Sequence, residues 1–228
     1  MKGSLRRLGL GVPAITPAVA SASVHAAEIF TTAMSGLSHL RFGNVEKGLF
    51  RRLVIPGVIG GVLGAYVLTT LPSDVIKPVV ALYLMAMGLV ILRKALGWGR
   101  EEAPHLPNRL VVPLGTIGGF FDAIGGGGWG PIVTSTLVAR GKHPRFAVGS
   151  VNLAEFFVTL AESVTFVLTI GQGLAQMGWV ILGLIIGGVM AAPLAAYVCR
   201  KLPTRTLMII VGLVIIVLSL RTICLALA

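Results

Sequence analysis

Ser23-Val24-His25-Ala26-Ala27-Glu28-Ile29-Phe30-Thr31-Thr32 returns later in the chain as Ser150-Val151-Asn152-Leu153-Ala154-Glu155-Phe156-Phe157-Val158-Thr159, in unbroken register. Six of the ten positions are identical, the glutamate among them. Upstream, Pro17 and Ala20 match Pro144 and Ala147 in the same register. Downstream, Gly60-Gly61-Val62 matches Gly187-Gly188-Val189. After a four-residue insertion, Tyr66-Val67 and Leu71-Pro72 match Tyr197-Val198 and Leu202-Pro203. Chance likeness between apolar helices does not keep a Glu, a Pro and a Gly pair in order. The chain reads as an internal duplication.

Both copies lie in apolar blocks too long for a globular core. Of 228 residues, 55% are hydrophobic and 12% charged, against about a quarter charged in a soluble domain. A membrane span takes about 20 apolar residues, because the hydrocarbon layer is roughly 30 Å thick and a helix rises about 1.5 Å per residue. Seven blocks meet this length, at about 15–40, 53–71, 75–96, 110–139, 146–170, 177–198 and 207–227. The 30 glycines suit closely packed membrane helices. The expected architecture is an all-α integral membrane protein with the lipid bilayer as its surroundings. The first repeat spans 1–96 and the second 109–228. The polar stretch 97–108, with Arg100, Glu101, Glu102, Pro104 and Pro107, reads as the linker. Cys199 and Cys224 fit neither a zinc site nor a disulfide framework and are expected to be packing residues. Residues 1–12 carry Lys2, Arg6 and Arg7 without the apolar centre of a signal peptide.

The block at 110–139 is interrupted by Gly125-Gly126-Gly127-Gly128-Trp129-Gly130-Pro131, which cannot continue a regular helix. Charge decides whether it crosses or turns back, since cytoplasmic loops gather Lys and Arg. If all seven blocks cross, the 19 basic residues divide 10 to 9 between the two sides. If the broken block turns back, they divide 14 to 5, with the middle of the chain cytoplasmic. Lys2, Arg6 and Arg7 then fall on the sparse side. The better split predicts about six crossing helices and one re-entrant helical hairpin. The Glu28 and Glu155 helices then run in opposite directions, as in inverted-repeat transporters with a midplane site. The first half has only about a dozen residues where its own hairpin would stand. Topology accounts for the net charge of +11 without any nucleic-acid partner.

Ionisable residues inside membrane blocks mark candidate sites, because burying their charge costs several kcal/mol. Glu28 and Glu155 are repeat mates and are the first candidates for proton coupling. His25 lies one helical turn before Glu28, where Asn152 precedes Glu155, and titrates near neutral pH. Each of these also has a plain structural reading as a hydrogen-bonding group between helices. Ser23, His25, Ser150, Asn152 and the turn glycines Gly125, Gly126, Gly127 and Gly128 form the expected substrate-binding set. Thr32, Thr159 and Glu162 extend the same stripe. Backbone N–H groups at the glycine turn suit an anion, with Thr134, Ser135 and Thr136 just beyond. Asp122 reads as a holder of that turn. No metal-ligand motif and no cofactor motif stands out.

These residues resemble the TauE/SafE sulfite-exporter family of permeases. The likeness rests on Ala20-Ser21-Ala22-Ser23-Val24-His25-Ala26-Ala27-Glu28, on Gly36-Leu37-Ser38-His39-Leu40-Arg41-Phe42-Gly43-Asn44-Val45, on the run from Gly125 to Pro131, and on Gly149-Ser150-Val151-Asn152. The resemblance implies a multi-pass protein of the cytoplasmic membrane that moves sulfite or small organosulfonates. It leaves substrate, direction and oligomeric state open. Members begin with a glycine-broken helix that this chain lacks, so an N-terminally truncated, transport-inactive fragment or assembly subunit is the alternative expectation. An enzyme is disfavoured. Ser23 and His25 are two residues apart and face away from each other, and no His-Glu-x-x-His pattern is present. The sequence also has no nucleotide-binding motif for direct ATP coupling.

Overall fold

Thr16 sets the start of the first helix among the described residues. Its Oγ1 accepts a hydrogen bond from the Val19 N–H at 3.2 Å, and Pro17 follows at a position where no N–H is needed. The computed structural model describes residues 15–97, 106–134, 136, 137, 140, 142–201 and 204–227. Residues 1–14, most of the expected linker, Ser135 and the side chain of Cys199 lie outside this set.

The described residues form helices and no strand. In chain order these are α1 (Pro17–Arg41), α2 (Lys47–Thr70), α3 (Ser73–Ala95), α4 (Asn108–Gly125), a π-helical turn (Gly130–Thr134), α5 (Pro144–Ala175), α6 (Gly178–Lys201) and α7 (Thr204–Leu227). Lys47–Thr70 and Phe146–Ala175 are long and apolar enough to cross a bilayer. Large apolar side chains such as Phe30, Ile55, Leu168 and Val217 point outward, more in keeping with lipid than with water.

Three details depart from expectation. α2 begins at Lys47, well before the apolar block, because Lys and Arg propagate a helix as readily as Leu. Residues 171–175, between the apolar blocks at 146–170 and 177–198, are the end of α5 beyond a kink at Ile170 (φ −131°, ψ 26°), and Gln176 begins the turn. Cys224 is exposed, so it is not the packing residue expected from its apolar surroundings.

The centre of the fold is the crossing of α1 and α5. His25 of α1 meets Glu162 of α5, and Ser35 of α1 meets Asn152 of α5. The pairs run in opposite order along the two helices, which are therefore antiparallel. In the register of the repeat, His25 corresponds to Asn152 and Ser35 to Glu162. Each contact is thus the counterpart of the other under the duplication.

α2 carries a strip of glycines into which α4 packs backbone to backbone. A Cβ at Gly60 would overlap the Thr116 carbonyl, one at Gly64 the Phe120 carbonyl, and one at Gly119 the Gly57 carbonyl. α4 ends where Gly126 (φ 67°) and Gly127 (φ 140°) adopt backbone angles open to glycine. The chain then doubles back through Trp129 and Val133, which are buried with Leu53 and Val158 in the main apolar core. Leu106 at the start of this excursion and Leu137 at its end line one cavity beside Glu46 and Arg52. Both ends of the hairpin therefore lie on the same side of the molecule. In α6, Gly187 is the repeat mate of Gly60, yet among the described residues nothing stands within 4 Å of where its Cβ would be.

This asymmetry has a direct test. We expect Gly60→Val to abolish the monodisperse peak of the detergent-solubilised protein in size-exclusion chromatography, because overpacking costs roughly 1–3 kcal/mol or more and the opposing atom is backbone. Gly187→Val should leave that peak intact. Equal behaviour of the two variants would contradict the packing described.

Candidate functional site

His25 is fully buried, and its position on α1 places two carboxyl groups against its two ring nitrogens. Nε2 lies 2.8 Å from Glu162 Oε2, and Nδ1 lies 3.4 Å from Glu28 Oε2 one turn along the same helix. Phe166 meets the imidazole edge to face, with ring centroids 5.9 Å apart. Glu162 is also fully buried, and α2 makes room for it: a Cβ at Gly61 would stand 2.5 Å from Glu162 Oε1. Asp122, from the last turn of α4, completes the group. One ligand atom each from His25, Asp122 and Glu162 falls within 4.8 Å of the others.

Isolated charges at this depth cost several kcal/mol each, so the cluster must be held close to neutral by shared protons or by a bound group. The His25 contacts are ion-pair approaches whose direction departs from a hydrogen bond. Both ring nitrogens, both Glu162 oxygens, Asp122 Oδ2, Thr159 Oγ1 and Ser163 Oγ lack a hydrogen-bond partner among the described residues. Buried polar atoms are nearly always satisfied, so their concentration here sets the cluster apart from the apolar interior around it. His25, Asp122 and Glu162 thus form a buried acid–imidazole cluster whose ligating atoms lie close to one another.

Asp122 also ties this network to the glycine turn. Its Oδ1 accepts from the Trp129 N–H at 2.8 Å, and its backbone carbonyl accepts from the Gly126 and Gly127 N–H groups at 2.8 and 3.4 Å. Trp129 Nε1–H donates to the Val151 carbonyl at 3.1 Å, which pins the return leg to α5. Ser21 Oγ donates to the Ala123 carbonyl, fixing the tip of α4 to α1. Tyr83 of α3 stacks on Phe121 at 4.6 Å, and a Cβ at Gly128 would stand 2.7 Å from its hydroxyl. The glycine run is what lets Tyr83, Asp122 and the turn share this space.

The expected site residues thus separate into two groups. His25 and Glu28 join the cluster, and Glu155 is within electrostatic reach of Asp122, Glu28 and Glu162. Ser23, Ser150 and Asn152 do not face it. Ser23 Oγ donates to its own helix at the Val19 carbonyl, at 2.7 Å. Ser150 Oγ accepts from the Glu46 N–H at 2.8 Å, and Asn152 Nδ2 donates to Ser35 Oγ at 2.7 Å. Thr32 Oγ1 donates to the Glu28 carbonyl. In this conformation the donors of Gly126, Gly127 and Trp129 are engaged by Asp122. Ser21 and Tyr83 were not singled out from sequence, and neither carries a signal beyond its residue type. Glu162 had one: it is the repeat mate of Ser35, so the Asn152–Ser35 contact implies a His25–Glu162 contact.

Residues 8–222 match the family described as Sulfite exporter TauE/SafE. The chain is 45% identical over 213 residues to "Probable membrane transporter protein YtnM" of Bacillus subtilis (strain 168), a match covering 91% of this chain and 71% of that protein. It is 27% identical over 151 residues to "Probable membrane transporter protein ORF9" of Sinorhizobium sp, covering 66% of this chain and 53% of that protein. No solved structure matches it.

Two substitutions separate the charge of Asp122 from its hydrogen bond. Asp122→Asn keeps an acceptor for the Trp129 N–H, whereas Asp122→Ala removes it. We expect Asp122→Ala to lower stability by about 1–3 kcal/mol, the cost of leaving a buried donor unpaired, and Asp122→Asn to stay close to wild type. Thermal unfolding in detergent measures both; equal losses would deny the turn-holding role.

Proposed function

The chain belongs to the Sulfite exporter TauE/SafE family, and on that basis we propose that it is a multi-pass permease of the cell membrane. Its cargo is a small anion, sulfite or a small organosulfonate, and it moves together with protons. The observation that carries this reading is the buried His25–Glu162 contact, made between two antiparallel helices that are copies of one another in sequence. The 14 to 5 division of basic residues supports the matching membrane arrangement, with two inverted repeats and a re-entrant hairpin.

The chemistry explains why protons would be needed. An anion about 4 Å from a carboxylate is repelled by roughly 4 kcal/mol at an effective dielectric of 20. Glu28, Glu155, Glu162 and Asp122 surround the glycine turn, so an anion settles there only when protons have reduced their charge. Protonation of Asp122 also weakens its hold on the Trp129 N–H. That donor can then turn to the anion. His25, between Glu28 and Glu162, is placed to pass the proton inward from the part-exposed carboxyl to the buried one. Ser23, Ser150 and Asn152 contribute when their present bonds exchange during the transport cycle. Both relatives are named as probable membrane transporters, which supports a solute carrier over an enzyme.

Uptake of labelled methanesulfonate into proteoliposomes tests the proposal, since the charge of this probe does not change near neutral pH. Wild-type uptake should rise at least several-fold with an inwardly directed proton gradient. Glu162→Gln should remove that dependence. Indifference of the wild type to the gradient would eliminate the proton role. Failure to move either sulfite or methanesulfonate would eliminate the sulfur-anion reading.

A further inference from the structure

We propose that His25, Asp122 and Glu162 form a binding site for a divalent first-row transition-metal cation where α1, α4 and α5 meet. One ligand atom from each residue lies within 4.8 Å of the other two. None of the three is more than 1% exposed. They come from three different helices, so no spacing along the sequence announces them. Ionised Asp122 and Glu162 carry two negative charges between them. A divalent cation cancels both and leaves no buried charge uncompensated.

The geometry suits ligands better than hydrogen-bond partners. His25 Nε2 and Glu162 Oε2 stand 2.8 Å apart, yet their directions do not make a hydrogen bond. Adjacent ligands of an octahedral ion stand about 2.9 Å apart when each bond is about 2.05 Å, a length typical of imidazole and carboxylate on such metals. Opposite ligands then stand about 4 Å apart, so a set spread over no more than 4.8 Å closes on an ion with a side-chain shift of less than about 1 Å. Asp122 divides its carboxylate in a way that serves this. Oδ1 accepts from the Trp129 N–H, while Oδ2 has no hydrogen-bond partner among the described residues. His25 Nδ1 faces Glu28 Oε2 at 3.4 Å, and metal-binding imidazoles commonly carry such an outer carboxylate.

The donor set gives the class of ion. One imidazole nitrogen with carboxylate oxygens suits first-row transition metals, whereas magnesium and calcium favour oxygen ligands alone. Thr159, one turn before Glu162 on α5, offers a further buried oxygen without a hydrogen-bond partner among the described residues. An ion held here ties α1, α4 and α5 together at one point. Through Asp122 it also ties the glycine turn to the α1–α5 crossing, so the bound ion stabilises this arrangement of the helices.

Equilibrium dialysis of cobalt(II) against the full, untagged chain in detergent, stripped beforehand with chelator and held at one pH, tests the site. We expect one cobalt ion per chain and a higher thermal midpoint when it is bound. Asp122→Asn is the decisive variant. It keeps an acceptor for the Trp129 N–H but puts an NH2 group in place of Oδ2, which cannot ligate. Its cobalt affinity should fall at least tenfold, the loss seen even when outer partners of metal ligands are removed, and its thermal midpoint should no longer respond to cobalt. Glu162→Gln should lose affinity likewise, while Glu46→Gln, whose carboxylate pairs with Lys142, should bind as the wild type does. A wild type that holds no cobalt, or equal affinity in Asp122→Asn and Glu162→Gln, would overturn the site. Displacement of cobalt by an equal concentration of magnesium would overturn the assigned ion class. Cobalt held by a chain that moves no anion would keep this site and remove the permease reading. Proton-driven uptake by a chain that holds no cobalt would do the reverse.

Discussion

Two carboxyl groups and an imidazole buried within a bundle of apolar helices have few ways to exist, and the surrounding structure answers that constraint. His25 and Glu162 sit 2.8 Å apart at the α1–α5 crossing, where neither could stand alone. α2 contributes Gly61 so that the Glu162 carboxyl has space. Asp122 arrives from a third direction on the tip of α4. Placing it there requires the α4 backbone to press directly on α2, which the paired glycines Gly57, Gly60, Gly64 and Gly119 permit. The hairpin reverses at Gly126 and Gly127, and Asp122 then takes up the amide donors that the reversal leaves free. Glycine bed, broken helix and buried acids are one arrangement.

Much of this was legible in the sequence, for identifiable reasons. Apolar blocks of span length, a glycine run ending in proline, and repeated glutamates are signals written in residue type alone. They yielded the helices, the break and the candidates His25, Glu28 and Glu155. The partners of those candidates were harder to read, because the choice depends on how two helices rotate against each other. Ser150 and Asn152 share a stripe with Glu155, yet they bond to Glu46 and Ser35. Glu162 was noted only as an extension of that stripe, and it became the closest partner of His25. The register of the repeat relates Ser35 to Glu162 as it relates His25 to Asn152, so either contact, once seen in the structure, gives the other. Ser21 and Tyr83 were out of reach, being a common serine and tyrosine until a turn is folded against them.

The duplication is not a symmetry of chemistry. At one α1–α5 contact stands an imidazole with a carboxyl; at its counterpart stand an amide and a hydroxyl. The first pair can gain and lose protons, and the second cannot. The two copies of one helix therefore differ in chemistry where they cross, one contact built from titratable groups and the other from neutral ones. The glycine faces diverge in the same way. Gly60 is pressed against α4, while Gly187 meets nothing within 4 Å among the described residues.

Charge is also distributed unevenly along the hairpin. Its mouth gathers Arg52, Arg140 and Lys142 with Glu46, and its tip lies among Asp122, Glu28, Glu155 and Glu162. Ionised carboxylates at the tip oppose an anion by Coulomb repulsion. The apolar core around Trp129 and Val133 that separates these regions offers no countercharge of its own. The opposition at the tip is removable, because carboxyl groups accept protons, whereas guanidinium groups at the mouth keep their charge at any physiological pH. On the permease reading proposed above, an anion that reaches the tip would meet a barrier that protons can remove.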